Sequence, residues 1–299
     1  MTSFNNLNRQ AFDIDPIQEF RRVAGGLPDA PRKYSGISSK NKKSLLWNFF
    51  SSKFKTENML NAKTVYSGKD NGATIRELIT EMNDGDSETI HSIEHVVPKS
   101  YYEDMLKNRL GERKSNGASV NPLNFLPSHS TVNSKRGTRL FDFDGDTVES
   151  ETLAKVDGDS RNFQAGFDKD GEWVVEPLLT RGDIARCVMY MEMMYELNYV
   201  DEMEMKKLQE WMKEDEPSDY ERAFGLWLRE TQPLEINVQN PFVSNPELVS
   251  DGMFPMLLNS YLKKNLELPN PSNPTFGGIG SELPLAPLSL ILYYQTPLG

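Results

Sequence analysis

The sequence predicts an α+β protein in which a small amount of β-structure lies inside a mainly helical domain. Residues 89–93 are rich in β-branched side chains and are typical of a strand that runs into Glu94-His95. Between residues 153 and 176, turns rich in Asp and Gly separate short apolar alternations, which indicates a β-hairpin. After Thr180 the apolar residues recur at helical spacing, and this pattern predicts a buried helix face.

The clearest helix is predicted to begin at Thr180, with the threonine hydroxyl as its cap and Asp183 three residues later. A second helix is predicted over residues 202–212. A third opens at Pro217-Ser218, where Glu221 completes a Ser-x-x-Glu capping box. The first helix is rich in methionines, which we interpret as core residues rather than cofactor ligands: Met189, Met191, Met193 and Met194.

Three regions are predicted along the chain. Residues 1–35 combine Asn, Gln, Gly and Pro with weak periodicity, which predicts an irregular N-terminal arm. Residues 36–265 form the main domain, with further helical patterns over residues 45–54 and 74–82. Residues 266–299 are rich in Pro, Gly and Ser and predict an extended tail.

Composition excludes several classes of protein. Hydrophobic residues make up 37% of the 299 residues and charged residues 26%, which is enough apolar content for a core and argues against a wholly disordered chain. The single cysteine, Cys187, excludes an intrachain disulfide. The N-terminus lacks a secretory apolar region, and the apolar residues 283–299 are short and interrupted by proline. We therefore expect no membrane association and favour an intracellular location.

Charge is segregated along the chain, although the net charge is −11. Residues 31–55 carry seven Lys or Arg and no acid, and residues 96–141 carry eight against three acids. Residues 142–176 reverse the sign, with eleven acids against three basic residues. Such runs usually indicate a solvated surface. The alternative is a basic surface built from two segments around a phosphate ligand, set in an acidic body.

Several local patterns fail as sites. Asp142-Phe-Asp144-Gly-Asp146 lacks the glycine and the bidentate glutamate that a calcium loop requires at its sixth and twelfth positions. Three histidines and one cysteine cannot supply a Cys-rich zinc site. Cys187 falls in the middle of a predicted helix, beside the apolar stripe, and we interpret it as structural.

One constellation survives. Glu94 and His95 end the strand-like run, and a downstream segment carries Asn121, Asn133 and Arg136. Oxygen ligands from Glu and Asn suit Mg²⁺, which keeps several waters. An imidazole with an ordinary pKa of about 6.5 can take a proton from water at neutral pH. Together these groups suit metal-assisted hydrolysis of a phosphodiester.

The segment Ile93-Glu94-His95-Val-Val-Pro98-Lys-Ser100 resembles the signature of the bacterial endonuclease I family, whose members are non-specific nucleases with a ββα-metal (His-Me finger) active site. Further segments follow in the order of the family, so that the similarity spans about residues 40–250. They are residues 121–137, Glu176-Pro177 with Arg181-Gly182-Asp183-Ile184-Ala185-Arg186, Pro217-Ser-Asp-Tyr-Glu221-Arg222, and Gln239-Asn240-Pro241-Phe242-Val243.

The resemblance implies the role of each residue. Glu94 and Asn133 would hold one Mg²⁺, with Mn²⁺ as an alternative, and His95 would be the general base. Arg136 would hold phosphate or brace the site. The family reaction is endonucleolytic and leaves 5′-phosphate and 3′-hydroxyl ends. The expected geometry is a two-stranded ribbon that brings His95 to the metal, crossed by a helix from about Ser128. Neighbouring basic residues are candidate nucleic-acid contacts: Lys99, Lys135 and Arg139.

The chain departs from the family pattern at two places. Where the second segment usually reads Asp-x-His-Asn, this chain has Asn121-Pro122-Leu123-Asn124, and a usual glutamate is Thr131. These losses leave open an alternative, a degenerate nuclease fold that binds nucleic acid or has a structural role. A sequence-specific homing-type nuclease would need a DNA-reading module, which the tail does not resemble.

The expected partners are DNA, with RNA as a second candidate. A non-specific nuclease inside a cell needs restraint, for which an inhibitor protein or a viral or phage role are candidates. The resemblance favours a monomer.

Overall fold

The computed structural model describes residues 15–24, 48–49, 65, 91–110, 118–129, 133–134, 136–138, 141, 163–167, 173–177, 180–231 and 239–267. Within them the α-helices are α1 (Pro16–Val23), α2 (Lys99–Leu110), α3 (Arg181–Tyr195), α4 (Glu202–Glu214), α5 (Asp219–Thr231), α6 (Pro241–Ser244), which is short, and α7 (Phe254–Glu267). The strands are β1 (His91–His95), β2 (Phe125–His129), β3 (Phe163–Phe167) and β4 (Trp173–Pro177), and 3₁₀ turns cover Pro122–Asn124 and Pro246–Val249.

The strands form two separate antiparallel pairs, β1 with β2 and β3 with β4. The second pair confirms the hairpin predicted between residues 153 and 176, with Phe163 opposite Pro177 and Phe167 opposite Trp173. Helices supply most of the remaining described structure, so the α+β fold class with predominant helix is confirmed. Among these described residues, no helix is long and apolar enough to cross a membrane.

Helix α3 lies at the centre of the core. It packs against α4, α1, α6 and the 3₁₀ turn at Pro122–Asn124. Its side chains are buried almost all round, which is the pattern of a helix enclosed by others. The helix ends at Glu196, which adopts a left-handed conformation with φ of 53°. The core assignment of the methionines is confirmed, since all of them are buried: Met189, Met191, Met193 and Met194.

Helix α1 lies within the region for which we predicted an irregular arm, so that prediction is wrong for Pro16–Val23. Asp15 caps the helix by accepting a hydrogen bond from the Ile17 N–H at 3.0 Å, and proline occupies the first turn, where its missing N–H costs nothing. Phe20 is fully buried, and Arg21 forms a 2.6 Å ion pair with Glu196. This segment is therefore part of the core.

The predicted start of α3 is confirmed, but the predicted capping bond is wrong. Thr180 occupies the N-cap position, yet its hydroxyl makes no capping hydrogen bond. The Gly182 N–H instead donates to the Asp215 carboxylate at 2.9 Å, so the cap comes from the end of α4. The approach is close, since a Cβ on Gly182 would lie 2.0 Å from the Asp215 carbonyl oxygen.

The other two predicted helices are confirmed. The second extends to Glu214, two residues beyond the predicted end, and begins with a capping box between Asp201 and Glu204. The third is preceded by the predicted box: the Ser218 N–H donates to the Glu221 carboxylate at 2.9 Å, and the Glu221 N–H donates to the Ser218 hydroxyl at 3.2 Å.

A buried arginine joins α3 to α5. Arg186 donates two 2.7 Å hydrogen bonds to Glu221 and one of 2.6 Å to the Asp215 carbonyl. Burial alone would raise the pKa of the Glu221 carboxyl, but the charge of Arg186 together with hydrogen bonds from Asp183, Arg186 and the Ser218 N–H lowers this pKa. Burial and the neighbouring Glu221 charge raise the pKa of Asp183 well above its usual range. The family-like motifs around Arg181 and Pro217 thus meet in one ionic network.

Several predictions concern residues outside the described part of the chain. They are the helix over residues 74–82, the acidic turn at Asp142–Asp146, and the tail that follows residue 267. Of the helix predicted over residues 45–54, Asn48 and Phe49 are described and are helical.

Glu192 offers a test of the core. Its carboxylate accepts hydrogen bonds from the Asn198, Tyr199 and Val200 N–H groups and from the Tyr261 hydroxyl. Glu192→Ala leaves these buried donors without their acceptor, so we expect the free energy of unfolding to fall by about 3 kcal/mol or more, measured by urea denaturation. Glu202→Ala, which removes an exposed ion pair with Lys206, is the control and should change it by less than about 1 kcal/mol. Equal losses would contradict the role of Glu192.

Candidate active site

The β1–β2 ribbon sets the geometry of the site. Glu94 lies opposite Leu126 and His95 lies opposite Phe125 in the antiparallel register, which confirms the strand that was predicted to end at Glu94-His95. Successive side chains of a strand point to opposite faces. Glu94 accordingly is buried with 1% of its surface exposed, whereas His95 is half-buried. One face of the ribbon therefore holds a carboxylate in the interior, and the other presents an imidazole toward solvent.

A buried ion pair orients Glu94. The Arg136 Nη1 lies 2.7 Å from the Glu94 Oε1, and both side chains are almost completely buried. The same guanidinium donates to the carbonyl oxygens of His95 and Val96 at 3.3 and 3.0 Å. Its carbon lies 4.8 Å from the centre of the Phe141 ring. Of the two roles implied for Arg136, these contacts are those of a brace, because they join the guanidinium to the Glu94 carboxylate and to the backbone that follows it.

Asn133 is positioned by a helical turn. Asn133, Ser134 and Arg136 have helical backbone, and the Gly137 N–H donates to the Asn133 carbonyl at 3.0 Å. The Asn133 Nδ2 donates to the Ile93 carbonyl at 2.9 Å, next to Glu94 in the chain. The turn thus brings an amide and a carboxylate to one end of the ribbon.

The expected start of this helix at about Ser128 is wrong. Ser128 and His129 belong to β2 and pair with Ser92 and His91. The physical reason is the length of the ribbon: β1 extends back to His91, and its backbone hydrogen bonds hold Ser128 in the strand.

The His95 ring is held by aromatic packing. Its centroid lies 4.9 Å from that of Phe125, at an interplanar angle of 67°, which is an edge-to-face arrangement. The contact restricts the ring while leaving part of its surface toward solvent. A half-buried imidazole of this kind can exchange a proton with a neighbouring water molecule.

Asn124 fixes the backbone that follows His95. The Val97 N–H donates to the Asn124 Oδ1 at 2.9 Å, and the Asn124 Nδ2 donates to the Val97 carbonyl at 2.9 Å. The Val96 N–H donates to the Asn124 carbonyl at 3.1 Å. One asparagine therefore stops the chain from fraying at the residues next to the catalytic candidates.

The two departures in this segment have structural roles. Asn121 caps the 3₁₀ turn through the Leu123 N–H, and its Nδ2 donates to the hydroxyls of Tyr190 and Tyr195 at 3.1 and 2.9 Å. A carboxylate could not donate in this way. Leu123 is buried in the core, and its carbonyl accepts a hydrogen bond from the Cys187 thiol at 3.1 Å. Burial raises the pKa of this thiol. The buried position of Cys187 agrees with its structural interpretation. Thr131 lies outside the described residues.

Sequence reasoning missed Tyr199 and Glu192. The Arg136 Nη2 donates to the Tyr199 hydroxyl at 3.2 Å, and Glu192 accepts the Tyr199 N–H. Burial raises the pKa of Tyr199 to about 12, so the hydroxyl stays neutral at physiological pH. No local pattern marks these residues, because Tyr199 is 63 positions from Arg136. They extend the brace of Glu94 into the core.

The candidate nucleic-acid contacts are less defined. Lys99 begins α2 and its Nζ lies 3.2 Å from the Glu103 carboxylate, with both side chains partly exposed. Lys135 and Arg139 lie outside the described residues. Of the three, the described residues include Lys99 alone.

Glu94 and Asn133 carry the kind of oxygen atoms that suit a magnesium ion. Within the described part of the chain, no group of three or more His, Cys, Asp and Glu could hold a metal. Glu94 and Asn133 are a different kind of set, because one carboxylate and one amide oxygen suit a cation that retains several waters. Since the Asn133 Nδ2 binds the Ile93 carbonyl, the amide oxygen is the atom that this side chain would present to a cation.

Comparison with known protein families finds a match over most of the chain. The family model of endonuclease I matches residues 33–247, which include both strands of the ribbon, the helical turn and α3 to α5. No curated protein matches the chain. The matched segment exceeds two-thirds of the 299 residues, and the chain therefore belongs to the endonuclease I family, a family of nucleases.

Proposed function

We propose that the protein is a Mg²⁺-dependent endonuclease that hydrolyses phosphodiester bonds of DNA with little sequence specificity and leaves 5′-phosphate and 3′-hydroxyl ends. RNA is a second candidate substrate. One observation carries the proposal: the end of one β-ribbon carries the Glu94 carboxylate and the His95 imidazole, and the Asn133 amide is bound to the Ile93 carbonyl beside them in the chain. The ribbon followed by the helical turn of Asn133 supports a ββα-metal arrangement.

Glu94 and Asn133 would hold the metal ion. Bound there, Mg²⁺ would supply positive charge for the oxygens of the phosphodiester and its leaving group. Arg136 keeps the Glu94 carboxylate in place through the 2.7 Å ion pair, and the hydrogen bond to the Ile93 carbonyl fixes the Asn133 amide. The Glu94 carboxylate and the Asn133 amide are thus held in position before substrate arrives, which is the condition for efficient electrostatic catalysis.

His95 acts as the general base in this proposal. A ring nitrogen accepts the proton of the attacking water, and the edge-on contact with Phe125 limits the orientations that the ring can take. Arg136 is a positioning residue, since it acts through Glu94 and the backbone of His95. Phosphate contacts are proposed for the basic residues that neighbour the site residues in sequence, Lys99, Lys135 and Arg139.

Three predictions test the proposed site, and the first concerns turnover. Purified protein should nick supercoiled plasmid in Mg²⁺ and not in EDTA, and His95→Ala should lower the rate about 10²-fold or more while DNA binding is retained. Lys206→Ala, on the exposed face of α4, is the control and should cut like the unchanged protein. Cleavage by His95→Ala at the full rate would contradict the general-base role. Retained DNA binding without cleavage in any divalent metal would support the degenerate fold.

The second prediction concerns the metal. Asn133→Ala removes one oxygen donor and the anchor on Ile93, so the Mg²⁺ concentration for half-maximal cleavage should rise about tenfold or more. Ser134→Ala changes the adjacent exposed residue and should leave this concentration unchanged. Titration of the initial nicking rate with Mg²⁺ measures both. Identical titration curves would remove Asn133 from the ligand set.

The third prediction concerns the ion pair. Arg136→Met leaves the Glu94 carboxylate buried without its cation, and we expect a loss of about 3–5 kcal/mol in the free energy of unfolding. The double variant Glu94→Gln/Arg136→Met should be more stable than Arg136→Met, because neither charge is then buried alone. Urea denaturation of the unchanged protein, of Glu94→Gln, of Arg136→Met and of the double variant completes the cycle. Strict additivity of the two losses would show that the pair does not couple.

A further inference from the structure

A cavity of about 290 Å³ lies between β2 and α5. Its volume is at the lower end of the range of about 300–1,000 Å³ that small-molecule sites occupy, which suits a group the size of a nucleobase rather than a protein segment. Much of its lining is apolar, and includes Leu123, Phe125, Phe224 and Val243. Apolar and aromatic walls of this kind accept the face of a base.

The rim of the cavity is basic. Arg222 and Arg229 line it from α5 and are exposed, with the exposed Leu226 between them. Among the described residues Arg229 forms no ion pair, and Arg222 donates its Nε to the Pro217 carbonyl. The acidic group in the lining, Glu221, is already neutralised by Arg186. The mouth therefore favours an anionic group beside an apolar one.

Gly225 is the second observation that points to a ligand. It lies in the interior of α5, where glycine is a poor helix former, and it lines the cavity. A Cβ added at Gly225 would meet no atom within 4 Å, so close packing does not explain why this position is a glycine. The space that a side chain at this position would enter is therefore empty.

The cavity shares a wall with the candidate active site. Phe125 lines the cavity and also packs edge-on against the His95 ring at 4.9 Å. The recess and the candidate general base therefore contact the same aromatic ring.

We propose that this cavity is a nucleotide subsite, which takes the base of one unpaired nucleotide of the nucleic-acid substrate while Arg222 and Arg229 contact its phosphate. This inference rests on the proposed function and deepens it, because it names a single-stranded or locally unpaired strand as the preferred ligand. A duplex keeps its bases stacked and must pay to unstack one before the recess can receive it.

The test measures binding rather than cleavage. In the full chain carrying His95→Ala, fluorescence anisotropy compares a labelled single strand of about a dozen nucleotides with a duplex of the same length. Gly225→Leu fills the recess and should weaken single-strand binding about tenfold, the loss expected for one base contact, with a smaller effect on the duplex. Gly252→Leu is the matched control, since its surroundings are equally open and it lies outside the cavity.

Arg229→Gln is a second variant that leaves the core untouched, because the side chain is exposed. It should weaken single-strand binding and lower the slope of log affinity against log salt by about 0.7, the value for one phosphate contact on a single strand. Deoxyadenosine 5′-monophosphate should compete with the labelled strand more strongly than inorganic phosphate does. This comparison separates recognition of a base from attraction of any anion.

The outcomes separate the subsite from the nuclease. Equal single-strand affinity of the Gly225→Leu and Gly252→Leu variants overturns the subsite even if the unchanged protein cuts plasmid. Equal competition by phosphate and the nucleotide overturns it as well. A selective loss in Gly225→Leu supports the subsite even if no metal supports cleavage.

Discussion

The buried ion pair between Glu94 and Arg136 is the constraint on which the rest of the site depends. A carboxylate removed from water is costly unless a cation and hydrogen bonds compensate it. The guanidinium supplies the charge at 2.7 Å, and its Nη1 and Nη2 also donate to the backbone of His95 and Val96 and to the Tyr199 hydroxyl. The strand that carries the reactive residues is thereby tied to the helical turn that carries Asn133. The position of each catalytic candidate follows from this one tie.

Support for this pair comes from the core and not from the surface. Glu192, at the heart of α3, binds the Tyr199 N–H, and Tyr199 in turn accepts from Arg136. On the other side of the ribbon, Asn124 closes two hydrogen bonds with Val97. Because Glu192, Tyr199 and Asn124 are buried and hydrogen-bonded, the residues of the site are anchored to the helical core. A rigid donor set limits the reorganisation that charge development requires during a reaction.

The elements that the sequence predicts correctly have local signals. The strand that ends at Glu94-His95 follows from β-branched residues, and the helix after Pro217 follows from a capping box within four residues. The Glu94–Arg136 pair joins residues 42 positions apart, and the cap of α3 comes from Asp215, 33 positions from Gly182. No pattern within a helix or strand encodes such pairs. The cap that Thr180 fails to provide shows how tertiary contact replaces a local solution.

Phe125 joins the chemistry of the site to the shape around it. Its ring packs against His95 and also lines the cavity beside α5, so it cannot be changed without disturbing both. Substitutions on α5 can change the cavity without changing the ribbon. Gly225 and Arg229 line the cavity from α5, whereas the contacts described above for Glu94, His95 and Asn133 join other elements. If the protein is a nuclease with little sequence specificity, as proposed, this division lets the ribbon serve the phosphodiester while the recess selects how the strand is presented. Strand preference would then be a property of α5, and the chemistry a property of the ribbon.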